Sequence, residues 1–233
     1  MCRFLVASAD APLPSRALLD AFAAMAEASR SPDGDRQGDG WGAAWLDGAG
    51  YWRRHRSLSP IWLDRATFAQ VPPTPCLVVH ARSASFPERR RQLERCQPFL
   101  FARHVLVFNG LLRGVTLPAG RPGLIGAQRL AALLGALLAR SSSQEAVDRL
   151  WRLLRSRSAS LPAVNLALTD GHTIDVLAHC ESNQEYYRLW VRHDEGLLAL
   201  ASEPLDASSW QPLPRNSRSQ LRRPGERPAV AVG

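Results

Sequence analysis

Short apolar runs near both ends of the chain alternate with polar positions, while the middle carries apolar residues at helical spacing. Phe4 to Ala7 reads as a strand. Pro12 and Pro14 then introduce a helix with Ser15 as its N-cap and Leu18, Leu19, Phe22 and Met25 on one face. Ser31 to Gly40 is a polar loop rich in glycine. Trp41 to Leu46 predicts a strand, Asp47-Gly48 a hairpin turn, and Tyr51 to Arg54 its partner. Cys76 to His80 and Val105 to Phe108 are two further strands, each running into a polar motif. Ala127 to Ala139 and Gln144 to Leu154 have the spacing of helices, separated by a Ser-rich break. Strands return as Val164 to Leu168, Thr173 to Ala178, Tyr186 to Val191 and Leu197 to Ala201, with Asp170-Gly171 as a turn. Strands, two helices, then an antiparallel meander give an α+β class. The order is what a four-layer αββα sandwich needs, though order alone does not single that fold out. There is no internal repeat.

Composition narrows the chemistry. The 233 residues make room for one large domain, and 45% hydrophobic residues suffice for its core. No lysine occurs, so all 29 basic residues are arginine; Schiff-base and P-loop lysine chemistry are excluded. The net charge is +8, and half of that excess falls in residues 215–233, which hold five arginines against Glu226. This Pro- and Gly-containing tail is expected not to pack. Arg89 to Arg91 with Arg95 alternate with Glu88 and Glu94 and read as a solvated loop. No aromatic residues interleave with the arginines, so a nucleic-acid partner is not expected. No apolar run reaches the ~20 residues of a membrane span, and the N-terminus makes a poor signal peptide. A cytoplasmic protein without membrane association is the expectation. Cys2, Cys76, Cys96 and Cys180 are scattered without a CxxC pair, and Cys76 and Cys180 read as buried small hydrophobes.

Four motifs carry candidate chemistry, each with a plainer alternative. Cys2 becomes the first residue once Met1 is removed, and its own α-amine, with a reference pKa of about 7.7–8.0, can act as the base for the thiol. The plain alternative is an incidental cysteine. Gly38-Asp39-Gly40-Trp41-Gly42 precedes a strand, outside any βαβ unit, so a dinucleotide loop is rejected. It is either a hairpin entry or closely packed backbone at a site. In His80-Ala81-Arg82-Ser83-Ala84-Ser85, Arg82 at a strand mouth offers a planar fork for a carboxylate, or is a surface arginine. Asn109-Gly110 after Phe108 is an oxyanion hole or a simple turn. The remaining histidines, His55, His104, His172, His179 and His193, have no metal-ligand spacing, so no metal is expected. No G-x-S-x-G elbow is present.

Taken in this order and spacing, the four motifs resemble the class II glutamine amidotransferases, N-terminal-nucleophile hydrolases of αββα fold. Within them the match is to the short stand-alone branch that includes the ergothioneine-pathway amidohydrolases. Pro60-Ile61-Trp62, Gln97-Pro98-Phe99 and Ala201-Ser202-Glu203-Pro204-Leu205 with Trp210 are further echoes. The resemblance implies a type-2 glutamine amidotransferase domain over residues 1–214 and an Arg/Pro-rich tail over 215–233. It implies Cys2 as nucleophile, Asn109 and Gly110 as oxyanion stabilisers, and Arg82 and Ser85 as ligands of a glutamine-like substrate. The γ-amide would be cleaved through a γ-glutamyl thioester, with no cofactor. If the substrate is glutamine, a separate synthase subunit must receive the ammonia; a substituted γ-glutamyl amide needs none. Oligomeric state is left open.

The match departs at three places. Phe108 and Gln97 stand where histidines are usual. Gly126 stands where the family carries the aspartate that binds the substrate ammonium, and Gln128 where it carries a glutamate. An ammonium without a carboxylate partner is costly to desolvate. Either another acid substitutes, Asp39 first, or the substrate lacks a free α-amine, or the chain is a catalytically impaired scaffold or regulatory subunit. Cys2, Arg82, Asn109 and Gly110 oppose the last reading.

Overall fold

A computed structural model describes residues 2–84, 90–101, 103–116, 123, 126–194 and 196–222. Two antiparallel sheets lie face to face with helices on their outer sides, the expected α+β sandwich of four layers. Among the described residues the first sheet has seven strands: β1 (Arg3–Leu13), β2 (Trp41–Leu46), β3 (Trp52–Ser57), β4 (Thr74–Ala81), β9 (Trp190–Asp194), β10 (Leu197–Ala201) and β11 (Gln211–Pro212). Their order is β11-β9-β10-β1-β4-β2-β3. The second sheet, in the order β12-β8-β7-β6-β5, contains β5 (Phe99–Phe101), β6 (His104–Arg113), β7 (Ser160–Thr169), β8 (Thr173–Cys180) and β12 (Ser217–Arg222).

Alternation along each strand assigns its two faces. In β1, Leu5, Ala7 and Ala9 meet helix α1 (Ser15–Ala28), whereas Phe4 and Val6 point at the second sheet. In β6, Leu106 and Phe108 meet helices α2 (Gly126–Leu138) and α3 (Ser143–Arg157), whereas Val105 and Val107 point at the first sheet. Cys76, Val78, Val176 and Leu200 complete the apolar layer between the sheets. No described helix is long and apolar enough to cross a membrane.

Three local expectations change. Pro14 occupies the N-cap of α1, and Ser15, inside the helix, donates to the Pro72 carbonyl at 2.7 Å. Tyr186 to Leu189 is not a strand: Asn183 takes a left-handed φ of 51° and accepts from the Tyr187 amide at 3.1 Å. That turn folds the apolar Tyr187 inward. The third change is the tail. Residues 217–222 are not loose chain but β12, paired along β8 from Ser217↔Ala178 to Arg222↔Thr173. Leu221 packs against the inter-sheet layer, and Gln220 donates to the buried Asp175 carboxylate at 2.9 Å. Polar composition hid a strand whose stability comes from pairing with β8. Residues 223–233 lie outside the described residues.

Removing residues 223–233 should leave the melting temperature within about 2 °C. Truncation after residue 216 should lower it by at least about 4 °C, the shift produced by 1–2 kcal/mol in a domain of this size. Scanning calorimetry on both truncations checks this, and equal midpoints would show that β12 contributes nothing.

Candidate active site

The start of β1 is held by one side chain. Arg3 is 3% exposed and spends its donors inside the protein. Its Nε donates to Ser29 Oγ at 2.8 Å, and its Nη1 to the carbonyls of Tyr186 and Ser202 at 2.8 and 2.9 Å. Nη2 pairs with Glu203 at 2.6 Å, and the guanidinium lies 3.9 Å from the centre of the Tyr186 ring. The Phe4 amide donates to Ser202 Oγ, and the Ser202 amide to the Phe4 carbonyl. The Ala201–Leu205 motif therefore fixes the chain directly behind Cys2. The Cys2 thiol reaches the Ser83 carbonyl at 3.6 Å.

Cys2 opens onto a cavity of about 220 Å³. This is below the ~300–1,000 Å³ of sites for drug-sized molecules and suits a small ligand. From β4 and the residues directly after it the wall takes His80, Arg82 and Ser83; from β6 it takes Phe108 and Gly110. Gly126 and Ala127 of α2, with Arg95 and Gln97, complete the polar surroundings. Gly110 has no room for a side chain, because a Cβ would stand 2.3 Å from the Ala163 carbonyl oxygen. Gly42 is equally tight: a Cβ there would stand 2.3 Å from the Gln97 carbonyl oxygen. The glycine-rich loop thus serves close backbone packing against the 96–97 segment.

Asn109 follows Val105 and Val107 in pointing between the sheets. It is fully buried, and among the described residues neither Nδ2 nor Oδ1 has a hydrogen-bond partner. An unpaired buried amide is costly, so Asn109 retains capacity for a further hydrogen bond. Its cross-strand neighbour Asn165 donates to the Tyr187 carbonyl at 2.7 Å. His80 faces the same layer from β4 and is also fully buried; among the described residues no group meets its ring nitrogens at full hydrogen-bond geometry, and the Phe108 backbone is the nearest polar contact acting on it. Burial first, then the Arg82 guanidinium, pushes its pKa from 6.5 to about 3, and the Phe108 backbone offsets only part of this. His80 is therefore neutral at physiological pH. Burial also pushes the thiols of Cys96 and Cys180 upward, away from the reactive thiolate.

Arg82 is brought to the cavity as expected. Its Nη1 donates to the carbonyls of Asp39 and Arg90 at 3.1 and 2.9 Å, which sets the plane of the fork. Asp39 is not brought there. Its carboxylate accepts from the Ala84 amide at 2.7 Å and pairs with Arg90 at 3.4 Å, so it organises the loop around Arg82. Ser85 lies outside the described residues. Arg95, expected on a solvated loop, is instead buried in the cavity wall. Among the described residues no group of three or more His, Cys, Asp or Glu is placed to hold a metal ion.

Gln97 has a role that the sequence shows only as a departure. Its Nε2 donates to the Phe108 carbonyl at 2.9 Å and its Oε1 accepts from the Phe108 amide at 2.7 Å. A primary amide can do both at once, as a neighbouring strand would. It fixes β6 immediately before Asn109 and Gly110.

No family model matches the chain. It is similar to the γ-glutamyl-hercynylcysteine sulfoxide hydrolase of Mycolicibacterium smegmatis, 31% identical over 199 residues that cover 79% of this chain and 78% of that protein. Among solved structures, a glutamine aminotransferase class-II domain protein from Silicibacter pomeroyi matches with a TM-score of 0.61 at 18% identity, covering 95% of this chain and 99% of that one. The glutamine phosphoribosylpyrophosphate amidotransferase of B. subtilis gives 0.56 at 15% identity; the match covers 87% of this chain and 42% of that one. At these identities the two structures bear on the fold alone.

Two outcomes follow from the site's geometry. Gln97→Ala strands the amide and carbonyl of Phe108 and should destabilise the protein by about 1–3 kcal/mol for each buried group left unpaired. Urea denaturation measures this, and a loss below about 0.5 kcal/mol would show that water replaces the side chain. For His80 the folded pKa is depressed, so its contribution is full above pH 6.5 and is lost as pH falls toward about 3. In that window the unfolded chain binds one more proton at this residue, a slope of about 1.4 kcal/mol per pH unit. Burial also lowers the pKa of His104, so the parent slope contains both. A His80→Gln variant should have a correspondingly shallower slope, and an unchanged slope would place the titration elsewhere.

Proposed function

The chain belongs to the class II glutamine amidotransferases, N-terminal-nucleophile hydrolases that act on a glutamine or glutamyl-amide group, and on that premise we propose that Cys2, once Met1 is removed, is the nucleophile. The observation that carries this reading is the cavity shared by Cys2 of one sheet and Gly110 of the other, with the buried Asn109 directly before Gly110 on β6.

The Cys2 sulfur adds to the ω-amide carbon and its proton passes to the Cys2 α-amine. Negative charge on the former carbonyl oxygen is met by Asn109 Nδ2 and the Gly110 amide, donors already in place before the reaction. The α-amine returns the proton to the leaving nitrogen, the C–N bond breaks, and ammonia or an amine departs. A glutamyl thioester remains. Water then adds to it, the same amine carries the proton, the C–S bond breaks, and a carboxylate and free thiol are regenerated. Arg82 binds the substrate's head carboxylate by a bidentate contact.

A substituted glutamyl amide is the proposed substrate, in keeping with a relative named as a hydrolase of a γ-glutamyl compound. This reaction needs no second chain. A synthase subunit receiving ammonia is required only if glutamine itself is the substrate. A cytoplasmic location belongs to the same proposal, supported by four cysteines of which none is paired.

Intact mass should show loss of Met1, and a glutamine-like electrophile should label Cys2 while sparing Cys76, Cys96 and Cys180. Cys2→Ala should abolish turnover with the fold retained; full activity in that variant would overturn the mechanism. Asn109→Ala should lower kcat by about 10²–10³-fold with little change in KM, the usual cost of losing one oxyanion donor. A change confined to KM would place Asn109 against the ground-state substrate instead.

A further inference from the structure

The wall of the cavity formed by α2 is positive. Gly126 and Ala127 begin that helix, whose first turn contains no acidic residue. Nothing lies within 4 Å of the place a Cβ at Gly126 would take, so open space replaces the family's aspartate. The short 3₁₀ turn Leu93–Arg95 is tied to the same wall, because Gln128 donates to the Glu94 carbonyl at 2.9 Å. Arg95 projects from that turn. It is 8% exposed, lines the cavity, and among the described residues has no hydrogen-bond partner for its buried Nε and Nη1. Among the described residues, no carboxylate lines the cavity and none pairs with Arg95.

A desolvated guanidinium without an anion is a costly thing to keep. An α-ammonium bound at this wall would meet a like charge in a low dielectric and the positive end of a helix, where repulsion is strongest. An anion there would satisfy both. Arg82 already supplies a site for one carboxylate, so Arg95 provides for a second.

We propose that Arg95 and the N-terminus of α2 form an anion subsite, so that the substrate is an ω-amide carrying a second negative charge where glutamine carries its α-ammonium. The inference rests on ω-amide hydrolysis at Cys2 and specifies which ω-amide is taken. The second anion is either a carboxylate on the α-carbon or the acidic end of an acyl group on the α-nitrogen.

Five compounds separate these cases: glutamine, glutaramate (no amine), the malonate analogue of glutamine in which a carboxylate replaces the amine, N-acetylglutamine and N-succinylglutamine. At least one dianion should exceed its monoanionic counterpart in kcat/KM by about tenfold or more, the size of one charge-assisted hydrogen bond. Preference for the malonate analogue over glutaramate assigns the α-carbon; preference for succinyl over acetyl assigns the nitrogen. Arg95→Gln should collapse the preference ratio, whereas Arg95→Lys, which keeps the charge, should retain part of it. A merely structural defect would lower both members of a pair alike and leave the ratio standing.

Calorimetric binding of the same pairs to Cys2→Ala reads the subsite without turnover and should show the same order. No dianion preference in either assay, a ratio unchanged in Arg95→Gln, or glutamine as the best substrate would overturn the inference while Cys2-dependent hydrolysis stands. Turnover that survives Cys2→Ala would instead overturn the reading on which it rests.

Discussion

Arg3 carries a full positive charge through the end of the first sheet, and the placement of Cys2 depends on that charge being satisfied there. Ser29 at the end of α1, Glu203 and Ser202 after β10, and the Tyr186 carbonyl after β8 all converge on its guanidinium. Three separate stretches of chain must be in place before it is paired. A buried cation left unpaired is far more costly than a surface one, so the assembly is cooperative. Its by-product is positional. Residue 2, at a chain end that would ordinarily fray, is anchored by the neighbour that follows it.

The second sheet contributes by a different device. Gln97 imitates a missing strand and locks Phe108, and with it the two residues that follow. Between these supports the polar groups of the site are deliberately under-satisfied. Among the described residues the Asn109 amide has no hydrogen-bond partner beside the apolar inter-sheet layer, and Arg95 Nε and Nη1 have none at the cavity wall. Unmet hydrogen-bonding capacity is expensive in a folded protein. At the cavity itself this unmet capacity belongs to His80 and Arg95, which both line it.

The sequence revealed much of this because several signals agreed. Short continuous apolar runs at Phe4–Ala7, Cys76–His80 and Val105–Phe108 placed strands where sheets occur, and the ordered motifs brought Cys2, Arg82 and Gly110 to one cavity. What stayed hidden depended on partners remote in sequence. β12 looks like a polar tail because its pairing lies on β8, more than thirty residues away. Arg95 looked solvated because its charged neighbours suggested water, whereas tertiary packing buries it. Asp39 was assigned to the substrate by chemistry alone, but the Ala84 amide and Arg90 reach it first. Gln97 was visible only as a mismatch, since the value of an amide there lies in the backbone it faces.

On the proposed roles, nucleophile and oxyanion donor sit on opposite sheets, separated by a layer of Phe4, Val6, Val78, Val107 and Val176. That layer is a spacer as well as a core. Its thickness sets how far sulfur must travel to the carbon that Asn109 polarises, and interiors at near-crystalline density transmit a methyl group's change in volume rather than absorb it. The valines between the sheets are therefore the calibration of the enzyme: remote from the substrate, yet fixing the gauge at which its two halves meet.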